Sequence, residues 1–257
     1  MNEIQQNKVY SIFKDGRFAS NLDLARQNGL EIASLRDYAK YLGDYTPRKT
    51  EISRLPAGFT REGILYVPQT AILMIRNSPL IESSNAERLT YQVLENKGKY
   101  QEIRRKACKE GRGKDLSNIQ MEEEHFPFYL DAIKYLEIAR KEKDLQVEER
   151  NVLVLKPEYM GSDGRLEIPF NKLEEAEVFR WALRDYAKPH ADYLRSVCLN
   201  SHKSLFGELG TNFRDEFKKP HIRQFWYSPS ESGEFGIKGN QKYSYGKVLA
   251  IKRDKTK

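Results

Sequence analysis

The stretch NLDLARQNGLEIASLRDYAK, residues 21–40, decides the predicted fold of the N-terminal part of the chain. Ala25 is small enough to let two helices approach closely, and Gly29 can take the left-handed backbone conformation of a sharp turn. Apolar residues at helical spacing, among them Leu24 and Leu35, would fill the angle between the two helices. The spacing therefore predicts two crossing helices joined at Gly29.

This spacing resembles the helix-turn-helix motif of DNA-binding proteins, and the resemblance covers residues 21–40 only. It implies that the second helix enters a groove of double-stranded DNA and brings four polar side chains to base edges or nearby phosphates. These side chains are Ser34, Arg36, Asp37 and Lys40. The same pattern is also compatible with an ordinary helical hairpin packed in a core.

The charge of the chain favours a polyanionic partner. Among 257 residues there are 44 Lys and Arg against 37 Asp and Glu, which gives a formal net charge of +7. The densest basic stretch is KGKYQEIRRKACKEGRGK, residues 97–114, which suits a phosphate backbone but is also typical of a solvated helix end. The basic residues expected to neutralise phosphates are Arg48, Lys49, Arg104, Arg105 and Arg112.

Cysteine spacing and hydropathy predict a soluble cytoplasmic protein. Cys108 and Cys198 are far apart and have no CxxC or Cys-His spacing, so neither a disulfide framework nor a zinc site is indicated. The longest apolar segment, around residues 70–75, is too short to span a bilayer.

The order of predicted elements gives an α+β fold class. Residues 9–13 alternate like a strand and run into Asp15 and Gly16, a tight-turn signal that predicts an N-terminal β-hairpin before the helix-turn-helix. GILYVPQTAILMI, residues 63–75, reads as one or two buried strands, followed by a helical middle and an antiparallel, β-rich C-terminal part. The predicted segments are 1–47, 48–150 and 151–257.

Two short sequences recur at the same separation. LRDYAK occurs at residues 35–40 and again at 183–188, and DGR occurs at 15–17 and again at 163–165. The shared offset predicts a duplicated and diverged hairpin-helix unit, although coincidence between two amphipathic helices gives the same pattern. Residues 173 and 177 of the second copy are Leu and Glu, so only the first copy has the helix-turn-helix spacing.

Two weak constellations could carry chemistry. Glu216 and Lys218 are the nearest match to the carboxylate and lysine of a restriction-type nuclease, which would need Mg²⁺. His190 and Asp192 are a histidine and an acid close in sequence that could serve metal-free cleavage or glycosylase chemistry. A surface charge cluster is the simpler explanation of Glu216 and Lys218.

Together these patterns predict a double-stranded DNA-binding protein, sequence-specific and acting as a regulator or organiser of DNA, for which a homodimer is plausible. It would need no cofactor, and Mg²⁺ only if it is a nuclease. The first alternative is a DNA-cleaving or DNA-modifying enzyme. The second is single-stranded RNA binding through aromatic residues near the C-terminal end, such as Trp226.

Overall fold

A computed structural model describes residues 9–13, 18–45, 56–67, 71–82, 126–156, 165–197, 203–208, 221–228, 236–240 and 247–252. The predicted α+β class is confirmed: the described residues form one mixed sheet with helices packed on it. Strands from all three predicted segments meet in this sheet.

The described part of the sheet has ten strands. They are β1 (Val9–Ile12), β2 (Glu31–Ile32), β3 (Gly58–Val67), β4 (Ala71–Ile75), β5 (Val152–Leu155), β6 (Arg165–Pro169), β7 (Lys203–Glu208), β8 (His221–Ser228), β9 (Gly236–Asn240) and β10 (Val248–Ile251). The main order is β1-β10-β3-β8-β9-β7-β6, with β2 paired to β10 and with β4 between β3 and β5. The first and last strands are antiparallel neighbours, so the two ends of the described chain close on each other.

Five α-helices lie in the described residues. They are α1 (Phe18–Gln27), α2 (Leu35–Tyr45), α3 (Phe126–Lys141), α4 (Glu177–Leu183) and α5 (Ala187–Val197). A 3-10 helix, Arg184–Tyr186, joins α4 directly to α5. Helix α2 packs against both α4 and α5, while α3 packs against β5.

Strand β4 shows why the sequence contains a continuous apolar run. All five residues of β4 are buried, and they alternate between two core clusters. Ile72 and Met74 face the cluster that contains Trp181, whereas Leu73 faces the cluster that contains Phe18. A strand covered on both faces needs apolar residues at every position. The predicted strands in residues 63–75 are confirmed as the antiparallel pair β3 and β4.

The turn predicted at Gly29 is confirmed, although the chain between the helices is extended. Gly29 has a φ of +67°, and the N–H of Leu30 donates to the carbonyl of Ala25 at 2.9 Å, which closes the C-terminus of α1. Residues Glu31–Ile32 then form β2, which pairs with β10 before α2 begins.

The predicted N-terminal β-hairpin is wrong. Strand β1 pairs with β10, with Val9 opposite Ile251, and the chain enters α1 at Phe18 instead of a second hairpin strand. The Asp-Gly signal reports only local turn preference. The pairing partner of β1 is β10, residues 248–251, and a local turn preference carries no information about a strand so far along the chain.

The junction between β3 and β10 depends on a glycine, and we predict a large effect of replacing it. A Cβ atom on Gly58 would lie 2.8 Å from the carbonyl oxygen of Lys247 and 3.2 Å from the backbone nitrogen of Leu249. Backbone atoms cannot move aside cheaply, so Gly58→Ala should lower the free energy of unfolding by roughly 1–3 kcal/mol in urea denaturation. Gly43→Ala is the control, because nothing lies within 4 Å of its Cβ position in α2. Equal losses for the two variants would contradict the close approach.

Candidate functional site

The structure does not bring the predicted catalytic histidine and acid together. His190 is 1% exposed, and its ring lies among the aromatic residues Phe179, Tyr193 and Tyr227. Burial lowers the pKa of His190 to about 3. Asp192, two residues further along α5, is exposed and pairs with Arg195 at 2.8 Å. His190 is therefore a neutral core residue in this fold.

Two of the predicted DNA contacts cap a helix instead. The backbone N–H of Asp37 donates to the Ser34 hydroxyl at 3.0 Å, and the Asp37 carboxylate accepts from the backbone N–H of Ser34 at 2.9 Å and from its hydroxyl at 2.6 Å. This is the reciprocal capping arrangement of a helix N-terminus, here that of α2. The Ser-x-x-Asp spacing was a readable signal of it.

A third predicted contact, Arg36, is held by an acid from the second LRDYAK copy. Its Nε and one terminal nitrogen donate to the two carboxylate oxygens of Asp185 at 2.7 and 2.9 Å, and its guanidinium also lies over the ring of Tyr186. The hydrogen bond to Arg36 lowers the pKa of Asp185. Lys40, the fourth, is half-buried on α2. The other predicted site residues, Arg48, Lys49, Arg104, Arg105, Arg112, Glu216 and Lys218, lie outside the described residues.

A polar cavity of about 250 Å³ lies where α2, the sheet and the α4–α5 junction meet. Four of its lining residues are arginines that come from four separate stretches of the chain. The lining residues are Ser34, Arg36, Asp37, Arg61, Glu62, Arg76, Asn77, Asn151 and Arg184. We call this the arginine cavity.

An irregular stretch of β3 places Arg61 and Glu62 in the cavity. The register of β3 against β8 shifts between Phe59 and Gly63, so the residues between them leave the regular ladder. The N–H of Arg61 donates to Ala33 instead, and its carbonyl accepts from Ser78, both at 2.9 Å. Bulges of this kind redirect side chains and occur often beside functional sites.

Glu62 is a buried acid at the N-terminus of α2. It is 2% exposed, and both of its carboxylate oxygens lie 3.1 Å from the backbone nitrogen of Leu35, the first residue of the helix. Burial raises the pKa of Glu62 to about 7, despite the hydrogen bonds and the charge of Arg61, which act in the opposite direction. The charge of the cavity therefore changes near neutral pH.

Arg76 is a buried cation whose hydrogen bonds go to neutral groups. It is 6% exposed, its Nε donates to the carbonyl of Arg150 at 2.6 Å, and a terminal nitrogen donates to the carbonyl of Glu148 at 2.7 Å. Its guanidinium lies 4.8 Å from the ring centre of Trp181. Burial, followed by the charge of Arg184, lowers the pKa of Arg76 to about 10, so it remains a cation at neutral pH.

The second LRDYAK copy supplies the opposite wall of the cavity. Residues 35–40 are regular helix in α2, whereas residues 183–188 span the end of α4, the 3-10 helix and the start of α5. Arg184 has φ 54° and ψ −126°, a backbone conformation that favours glycine. Within the described residues it is the non-glycine residue with positive φ.

The described residues contain no group of three His, Cys, Asp or Glu side chains placed to hold a metal ion. In the same part of the chain, no helix is both long and apolar enough to cross a membrane.

Comparison with known proteins shows a likeness of fold. No family model and no curated protein matches the chain. The chain is similar to a solved structure reported under the words "Accommodation of massive sequence variation in Nanoarchaeota by the C-type lectin fold". The TM-score is 0.57 and the identity is 10%, over 97% of this chain and 100% of the other. The likeness shows the fold alone.

The prediction of a DNA-binding regulator or organiser is wrong, as are its alternatives of a DNA-cleaving enzyme and an RNA-binding protein. The chain is similar to a C-type lectin fold along nearly its whole length, whereas the helix-turn-helix resemblance covers 20 residues. Packing gives the physical reason. Helix α2 lies against α4 and α5, its residues Leu35, Tyr38 and Leu42 are fully buried, and Arg36 is held by Asp185. Three of the four side chains predicted to contact DNA, those of Ser34, Arg36 and Asp37, therefore make their hydrogen bonds within the fold.

Sequence reasoning missed Arg61, Glu62, Arg76 and Arg184. Arg76 follows an apolar strand directly, and Glu62 sits inside the apolar context of β3, so both stood out as charged residues beside buried segments. That signal could have marked them as buried polar residues in need of partners. Arg184 had no comparable signal.

Proposed function

We propose that the chain is a ligand-binding protein that holds an anionic group of a small ligand in the arginine cavity. The observation that carries this proposal is Arg76. A buried guanidinium is stable when an anion balances its charge. In the described residues no carboxylate lies within ion-pairing distance of Arg76, which donates to the backbone carbonyls of Glu148 and Arg150.

The neighbouring charges support the proposal. Asp185 neutralises Arg36, but Arg61 donates to the neutral amide oxygen of Asn77, and no ion pair or hydrogen bond to the Arg184 guanidinium occurs in the described part of the chain. Among the residues that the structure describes, the guanidinium groups of Arg61, Arg76 and Arg184 thus have no paired anion, while Glu62 is only partly ionised near neutral pH. Guanidinium groups bind carboxylate, phosphate and sulfate through charge-assisted hydrogen bonds.

The size of the cavity limits what enters it. A volume of about 250 Å³ is below the roughly 300–1,000 Å³ of cavities that hold drug-sized ligands. The cavity therefore suits a small anion, or one anionic group of a larger ligand.

We propose that the protein acts in the cytoplasm. Cys108 and Cys198 are far apart in the sequence and indicate no disulfide framework, which supports a reducing compartment.

The proposal predicts that anions stabilise the folded protein in a saturable way. Thermal unfolding is measured at increasing concentrations of sulfate, phosphate or acetate, and each anion replaces chloride so that ionic strength stays constant. A ligand at about 100 times its Kd should stabilise the fold by about 2.7 kcal/mol. Arg76→Gln should weaken anion binding by about tenfold or more, because one charge-assisted hydrogen bond is lost.

Two further variants keep this test decisive. Arg61→Gln removes a half-buried cavity arginine whose side-chain hydrogen bonds, within the described residues, go to Asn77, so binding should weaken even if Arg76→Gln fails to fold. Arg140→Gln removes an exposed arginine of α3 that does not line the cavity, and should leave binding unchanged. The proposal fails if no anion stabilises the wild-type protein saturably, or if Arg140→Gln weakens binding as much as Arg61→Gln does.

A further inference from the structure

Arg184 has a strained backbone, although its own side chain is not packed in the core. Its neighbours Leu183 and Ala187 are buried, but the Arg184 side chain is exposed and lines the cavity. The N–H of Arg184 donates to the carbonyl of Arg180 and closes α4, which a glycine would do equally well without strain. The other copy of LRDYAK places its arginine, Arg36, in an ordinary helix. Strain that persists at a cavity wall points to a role of the side chain there.

We propose that Arg184 is the residue that makes the arginine cavity prefer dianions, such as a phosphate or sulfate group, over monoanions. This inference rests on the proposed function and names the ligand class of the same site. Arg76 and Arg184 line one cavity from two different elements, the end of β4 and the α4–α5 junction.

The electrostatics of the two arginines support a shared ligand. The charge of Arg184 lowers the pKa of Arg76, second only to burial, and the smaller effect of the Glu62 carboxylate in the opposite direction does not cancel it. Two like charges in one cavity repel until an anion lies between them. A monoanion balances one of them, whereas a dianion balances both. Arg36 does not contribute in the same way, because Asp185 already holds its guanidinium.

The test compares Arg184→Gly with Arg184→Lys. Affinities for sulfate, a dianion, and acetate, a monoanion, are measured by calorimetry at about pH 8 and constant ionic strength, and Tm is measured without either anion. Arg184→Gly should weaken sulfate binding by about tenfold or more, since a charge-assisted contact is lost, and acetate binding by less than about threefold. The same variant should raise Tm by about 3 °C, because glycine removes the backbone strain.

Arg184→Lys keeps the charge and the strained backbone, so it should retain part of the preference for sulfate without any rise in Tm. An Arg184→Gly variant that binds sulfate as the wild type does, or that loses sulfate and acetate binding equally, overturns the inference while leaving the anion site intact. If the wild-type protein binds neither anion, the proposed function itself is wrong.

Free and linked dianions are separated by a second pair of ligands, inorganic phosphate and glycerol phosphate. Tighter binding of glycerol phosphate indicates that the cavity holds one group of a larger ligand, and tighter binding of inorganic phosphate indicates a free ion. Both results support the dianion preference if Arg184→Gly weakens binding of the phosphate ligand more than binding of acetate, and both contradict it if the variant does not.

Discussion

His190→Phe is expected to stabilise the protein against acid. The pKa of His190 is about 3 in the fold and 6.5 ordinarily, because burial disfavours the charged ring. Between these values the unfolded chain binds a proton that the native state does not bind, so the wild-type protein loses stability as pH falls. The total loss is about 5 kcal/mol, of which about 3 kcal/mol has appeared by pH ~4.5. Phenylalanine fills similar space and does not titrate.

The measurement is the difference in free energy of unfolding between His190→Phe and the wild type, from urea denaturation at several pH values between about 8 and 4. The difference should grow steadily below pH 6.5. Tyr227→Phe is the matched control, because it removes the hydroxyl that lies 3.5 Å from Nε2 of His190 and leaves the histidine in place. A His190→Phe difference that stays constant with pH would mean that the ring accepts a proton inside the fold.

Much of the coarse fold could be predicted from local sequence. The α+β class, the buried strands in residues 63–75 and the left-handed Gly29 all depend on short-range patterns of hydrophobicity and backbone preference, and the structure confirms them. The N-terminal hairpin was predicted wrongly, because β1 pairs with β10, which lies almost the whole chain away. Long-range pairing of this kind leaves no trace in a local pattern.

The candidate site was much harder to predict, for a related reason. Arg61, Arg76 and Arg184 lie on three separate elements, and only the sheet topology and the packing of α2 against α4 and α5 bring them to one cavity. The repeated LRDYAK sequence did mark two stretches that contact each other, since Arg36 of the first copy binds Asp185 of the second. The two copies of LRDYAK nevertheless differ in structure: residues 35–40 form regular helix, whereas residues 183–188 contain a strained turn. Identical sequence therefore did not predict identical structure here.

Glu62→Gln is expected to show the opposite pH dependence to His190→Phe. The pKa of Glu62 is about 7 in the fold and 4.5 ordinarily, because burial favours the neutral acid. The native state therefore keeps a proton that the unfolded chain gives up, and the wild-type protein loses stability as pH rises from 4.5 to 7, by about 3 kcal/mol in total. Glutamine stays neutral, and its amide oxygen can still accept from the N–H of Leu35. The free energy of unfolding of the variant should therefore rise relative to that of the wild type as pH rises. The difference should be clearest in urea denaturation at about pH 8 without added anions.

The two linked titrations oppose each other between pH 4.5 and 6.5, where acid weakens the fold through His190 and strengthens it through Glu62. The wild-type protein should therefore show a shallow pH profile there, and each single variant should show a steeper one of opposite slope. The double variant is the control: with both groups removed, its difference from the wild type should equal the sum of the two single differences. If Glu62→Gln is no more stable relative to the wild type above pH 7 than at low pH, the Glu62 carboxylate is stable as an anion beside the cavity arginines. In that case Glu62 itself would supply the negative charge that we assign to a ligand.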